Sequence, residues 1–141
     1  MRIRRLLSVV IFVIMLPAFG QTTSQDYVGE WLGNNKGVPW VILDVKVGSG
    51  GLGGKATFYI LDTSPSAVSP KVLGKEDVEI IDATLEANEM SFKVKNDQGD
   101  VVMNSSSGRE LTFHLTMKSK AEGELRSDDP KGPTVTMTRA K

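Results

Sequence analysis

Along most of this chain apolar residues recur at every second position, and that period of two constrains the fold more than any other feature. Met90, Phe92 and Val94 alternate with Ser91, Lys93 and Lys95. Leu111, Phe113, Leu115 and Met117 alternate with Thr112, His114, Thr116 and Lys118, and Val135 and Met137 alternate with Thr134, Thr136 and Thr138. Successive side chains of a strand point to opposite faces, so each run has one core face and one wet face, as antiparallel strands do. No window carries a helical stripe. Strands are predicted near 27–32, 38–47, 53–61, 76–85, 89–95, 99–104, 109–118, 121–127 and 133–140. Between them lie turn compositions such as Gly48-Ser49-Gly50-Gly51, Asn96-Asp97-Gln98-Gly99, Ser106-Ser107-Gly108 and the Asp128–Gly132 stretch. One long connection, Asp62 to Leu73, is rich in Ser and Pro, and loops of that length often carry function. The expected fold is all-β: an antiparallel up-and-down meander of eight to nine strands that closes into a barrel, since closure removes exposed edges. An open β-sandwich or a partly closed sheet is the other arrangement this pattern allows.

The first twenty residues read as an address rather than as fold. Met1–Arg5 is positively charged, Leu6 to Leu16 is an uncharged apolar run, Pro17 breaks it, and Ala18 and Gly20 place small residues before Gln21. This is the pattern of a cleaved secretory signal, and roughly 15 apolar residues fall short of the ~20 that span a bilayer. The expected division is a signal peptide over 1–20 and one domain over 21–141, secreted or periplasmic, with no membrane span after cleavage. The whole chain balances 17 Lys+Arg against 17 Asp+Glu, and the leader holds three Arg and no acid. Cleavage therefore leaves 14 basic and 17 acidic residues, without the basic footprint that nucleic acid requires. The chain has no cysteine, which excludes disulfides, thiolate metal sites and Cys nucleophiles, and leaves packing to hold an exported fold.

Gly29-Glu30-Trp31 stands on the first strand, and Arg139 stands on the last. This G-x-W start with a late Arg resembles the lipocalins and related calycin barrels. The stretch 27–140 also resembles small exported bacterial lipocalin-like domains, through Gly29-Glu30-Trp31-Leu32-Gly33 and Leu111-Thr112-Phe113-His114-Leu115. The resemblance implies that Gly29, Trp31 and Arg139 close one end of the barrel, the guanidinium lying over the indole. On that cation–π contact alone, Arg139→Ala should cost about 1–2 kcal/mol. The chain departs from the family pattern in being short and in lacking a clear C-terminal helix.

Chemistry-bearing motifs are few. Gly48-Ser49-Gly50-Gly51-Leu52-Gly53 matches G-x-G-x-x-G in form, but a strand follows where a dinucleotide site needs a helix, so it reads as a hairpin. His114 is the single histidine and shares a solvent-facing strand face with Thr112 and Thr116. One histidine cannot build a multi-histidine metal site, and no metal or other cofactor is expected. Glu76, Asp77, Glu79 and Asp82 read as a solvated strand face rather than a catalytic pair, and Ser105–Ser107 as a loop. No catalytic residues are assigned and no enzyme activity is expected.

Segments 38–47 and 56–61 are apolar on both parities, unlike the later strands. Val41, Leu43, Val45, Phe58, Ile60, Phe92, Val94, Phe113, Leu115 and Met117 are the expected interior. Trp40, Ile42, Phe58, Tyr59, Ile60, Phe92 and Phe113 are the candidate ligand contacts. Two functional readings follow: a binding protein for a small apolar ligand, or an interaction module that meets a protein partner through the outer apolar face of strands 38–61 over a packed interior.

Overall fold

In the computed structural model the alternating runs pair in chain order and the last strand returns to the first, so every described strand has a neighbour on each side. The structure describes residues 23–62, 71–95, 110–129 and 132–141. After a one-turn helix α1 (Ser24–Tyr27) come β1 (Gly29–Asn35), β2 (Val38–Gly48), β3 (Gly51–Asp62), β4 (Lys71–Glu86), β5 (Glu89–Lys95), β6 (Glu110–Met117), β7 (Glu122–Ser127) and β8 (Val135–Arg139). All pairs are antiparallel, and β1–β8 closes the barrel through Trp31↔Arg139, Leu32↔Thr138 and Gly33↔Met137. The fold is the all-β meander barrel that the alternation predicts.

Several boundaries differ from the sequence reading. Tyr27, placed on the first strand, instead ends α1 and is fully buried. Asp62 and Lys71 to Leu73, assigned to the long connection, belong to β3 and β4, where Asp62 pairs with Lys71 and Leu61 with Val72. Gly51 and Leu52, assigned to a hairpin, begin β3, because Gly48 pairs with Gly51 and leaves a two-residue turn. The predicted strand over 99–104, the Ser105–Ser107 loop and the 1–20 leader lie outside the described residues.

The interior is filled. Trp31, Val41, Leu43, Val45, Ala56, Phe58, Ile80, Met90, Phe92, Val94, Phe113, Leu115, Leu125, Val135 and Met137 are buried. The Phe113 ring lies 5.4 Å from that of Phe58 and 5.7 Å from that of Phe92, so aromatic contacts run across the core. Gly33 shows how tight this is, since a Cβ there would fall 2.6–2.8 Å from Met137 Sδ and the Cγ1 atoms of Val135 and Val41. This packing stands in for the disulfides that the composition excludes.

Three irregularities re-aim side chains. Gly33 pairs with Val41 but Asn34 pairs with Pro39, so Trp40 is the extra residue of a bulge in β2. In β4, Ile81 pairs with Lys93 and Thr84 with Ser91, so Asp82 and Ala83 oppose one residue of β5. Asp82 takes a φ of 51° there, and the inward parity passes from Ile80 to Ala83, which packs against the core. A third shift, between Ile60 and Leu61, leaves Leu73 over.

Candidate functional site

The two ends of the barrel are built differently. At the end where β1 begins, α1 lies across the opening, started by the Asp26 carboxylate accepting the Thr23 N–H at 2.7 Å. Trp31 is fully buried and its Nε1 donates to the Tyr27 carbonyl at 2.9 Å. Arg139, opposite Trp31 in register, places its guanidinium carbon 4.4 Å from the indole ring centroid. Its Nε donates to the Lys120 carbonyl at 2.8 Å, its Nη1 to the Val28 carbonyl and its Nη2 to the Asp26 carbonyl. One planar, permanently charged fork thus gathers orphan carbonyls from the helix turn and the β6–β7 turn while stacking on an aromatic face. Gly29 makes room for it: its φ is 127°, and a Cβ would stand 3.0 Å from Arg139 Nη1. This end is a plug.

At the opposite end, the mouth, no described element crosses the barrel. Strand pairing puts directly opposed side chains on one face, so the rung Val41↔Phe58↔Glu76 is interior, and Ala56↔Val78 and Gly54↔Ile80 continue it toward the plug. Glu76 therefore faces inward, half-buried, on the same rung as Phe58 and directly opposite it. The carboxylate run read as a solvated face is split by the pleat: Asp77 and Glu79 face outward, Asp82 sits in the bulge, and Glu76 alone turns to the interior. That correction was available in the sequence, because Glu76, Val78 and Ile80 are spaced by two. Ile60 shares the interior face, with its Cδ1 3.8 Å from where a Gly74 Cβ would be. Trp40 and Leu111 are half-buried and pack against the core from this end, Leu111 opposite Val94.

The candidate ligand contacts therefore occupy three environments. Phe58, Phe92 and Phe113 are core, with exposures of 2% or less. Trp40 and Ile60 belong to the mouth. Ile42 and Tyr59 carry the opposite parity from Val41 and Phe58 and lie on the outer wall, half-buried beside Thr57. Thr57 donates to Asp77 Oδ1 at 2.6 Å, and that bond, opposed by burial and assisted by Lys55 and Lys75, holds the Asp77 carboxyl below the usual range.

His114 lies on the outer wall with Thr112 and Thr116, as its parity requires, but it is not free. Its Nδ1 is 2.9 Å from both Glu89 Oε1 and Ser91 Oγ, and its Nε2 meets Asp128 Oδ1. Arg126 Nη2 and Thr116 Oγ1 each reach Glu89 Oε2 at 3.3 Å. Burial pushes the Glu89 carboxyl up, but the His114 and Arg126 charges and their hydrogen bonds outweigh it and leave it below the usual carboxylate range. The two carboxylates stand on opposite edges of the imidazole, so the group is a cross-strand ladder over β5, β6 and β7. Among the described residues no cluster of three or more His, Cys, Asp or Glu converges on a metal position.

A pH dependence follows. The folded state lowers the Glu89 pKa, so its contribution to stability is present above the unfolded-state value and is lost as pH falls through the folded value. Thermal melts of the native chain and Glu89→Gln should differ most near neutrality, and the gap should shrink between about pH 6 and about pH 3. A gap of constant size would show that the ladder contributes no linkage.

Among the described residues no helix is long and apolar enough to cross a membrane. No family model, curated protein or solved structure matches the chain.

Proposed function

We propose that this is an exported, lipocalin-like binding protein without catalytic activity, which holds a small, largely apolar ligand at the mouth of the barrel. The observation that carries the reading is the contrast between the ends. One is plugged by α1 and Arg139, while the other presents half-buried Trp40, Ile60 and Leu111 above a core already filled by Phe58, Phe92 and Phe113. Apolar side chains left half-wet at the end of a closed barrel are where a ligand can bury surface without displacing the core. A deep internal site would require those three rings to move.

The two tryptophans report on opposite ends, which makes the test simple. Titration with octanol should shift the emission of Trp40 to shorter wavelength and leave the Trp31 contribution unchanged. Trp40→Phe should therefore abolish the response. A response that survives Trp40→Phe, or no saturable response to octanol, rejects binding at the mouth.

A second reading, an interaction module, finds support away from the 38–61 face, where Ile42 and Tyr59 are half-buried. Val72 and Leu73 at the start of β4 are 40% and 63% exposed, which places apolar surface on the outer rim instead. A concentration-dependent dimer lost in Val72→Ser/Leu73→Ser would favour that reading.

A further inference from the structure

On the inward parity of the barrel, Arg139 at the plug and Glu76 toward the mouth are treated in opposite ways, while Asp62 and Lys71 pair with each other at the rim. Arg139 at the plug is satisfied by three carbonyls and an indole face. Glu76 at the mouth has no ion pair and no side-chain hydrogen bond among the described residues. The lysines that flank this region do not serve it: Lys75 is on the outward parity, Lys55 pairs with Asp77 on the outer wall at 3.6 Å, and Lys71 stands exposed at the rim opposite Asp62.

We infer that the mouth selects amphipathic cations, with Glu76 pairing a ligand ammonium while the ligand's apolar chain lies against Trp40 and Ile60. This rests on the mouth-binding reading above and adds the ligand's charge to it. The physical case is one of complementarity. A carboxylate that is half-buried among apolar groups has lost part of its hydration, and no cation of the described chain replaces it. An incoming ammonium restores a counter-charge and forms a charge-assisted hydrogen bond where screening by water is reduced. An anionic ligand meets a like charge in the same place and is rejected, which gives selectivity as well as affinity. Trp40 adds a π face to which an ammonium is also attracted. A neutral alcohol of equal chain length gains only the apolar contact.

The matched probes are octylammonium, octanol and octanoate, titrated calorimetrically into the native chain and into Glu76→Gln at neutral pH and low salt. Octylammonium should bind about tenfold more tightly than octanol, and octanoate more weakly than either. In Glu76→Gln the ammonium and alcohol affinities should come within about twofold of each other, whereas Glu76→Asp, which keeps the charge, should retain the order. Equal binding of octylammonium and octanol to the native chain overturns the inference while leaving a mouth site in place. So does a cation preference that survives Glu76→Gln. If none of the three probes binds, the mouth-binding reading falls and this inference with it.

Discussion

Arg139→Ala is expected to lower the stability of the barrel by about 3 kcal/mol, more than a cation–π contact alone would cost. The substitution removes the charge over the Trp31 ring and also frees the Asp26, Val28 and Lys120 carbonyls that the guanidinium gathers. An orphaned buried acceptor costs about 1–3 kcal/mol, and the half-buried position of Arg139 lets water recover part of that. Arg139→Lys should recover only a fraction, because a point ammonium cannot span three acceptors and stack at once. Denaturant unfolding followed by far-ultraviolet circular dichroism measures both. A loss under about 1 kcal/mol for the alanine variant would mean that the freed carbonyls rehydrate without penalty and that α1 is not held by the arginine. The same variant should raise amide exchange in α1 first, since Asp26 and Val28 are its anchors.

Gly54→Ala should be at least as damaging, costing about 3 kcal/mol or preventing folding. Gly54 sits inside β3 at a φ of 128°, a conformation that side chains rarely adopt. A Cβ there would run into the carbonyl oxygen of Asp44 on β2, and would stand 3.0 Å from that carbonyl's carbon and 3.3 Å from the Lys46 nitrogen. Neither obstacle is a flexible side-chain tip, so relief requires β2 and β3 to separate at the rung Val45↔Gly54. Gly50→Ala is the matched control, because nothing lies within 4 Å of a Cβ in that turn. Similar losses for the two variants would show that Gly54 is chosen for strand entropy or sequence context rather than for space.

Much of this architecture was legible without coordinates, and the reason is the pleat. A strand's side chains alternate strictly, so Met90/Phe92/Val94 and Phe113/Leu115/Met117 declared their interior face before any pairing was known. The meander order followed from short turns. The same rule would have turned Glu76 inward from its spacing to Val78 and Ile80. Four neighbouring carboxylates mask that signal, because a run of charge has the composition of one solvated face. What alternation cannot supply is a break in itself. The bulges at Trp40 and at Asp82–Ala83 shift parity by one residue, so Trp40, apolar in a run apolar on both parities, could not be assigned to mouth or wall. Neither could the partners of His114 be found, because Glu89 and Asp128 are brought to its two ring edges by register across β5, β6 and β7.

The sequence by itself determined the class of fold and the face each regular strand turns inward, while the pairing of Trp31 with Arg139 was only what the resemblance carried by their motifs implies. Periodicity and residue type are local quantities, so a local reading recovers them. The tertiary structure decided the rest: a core packed with aromatic and aliphatic side chains, an end plugged by α1 and Arg139, and, among the described residues, an unpaired carboxylate toward the other end. Those depend on which rungs meet when the sheet closes on itself, and closure is a property of all eight strands at once.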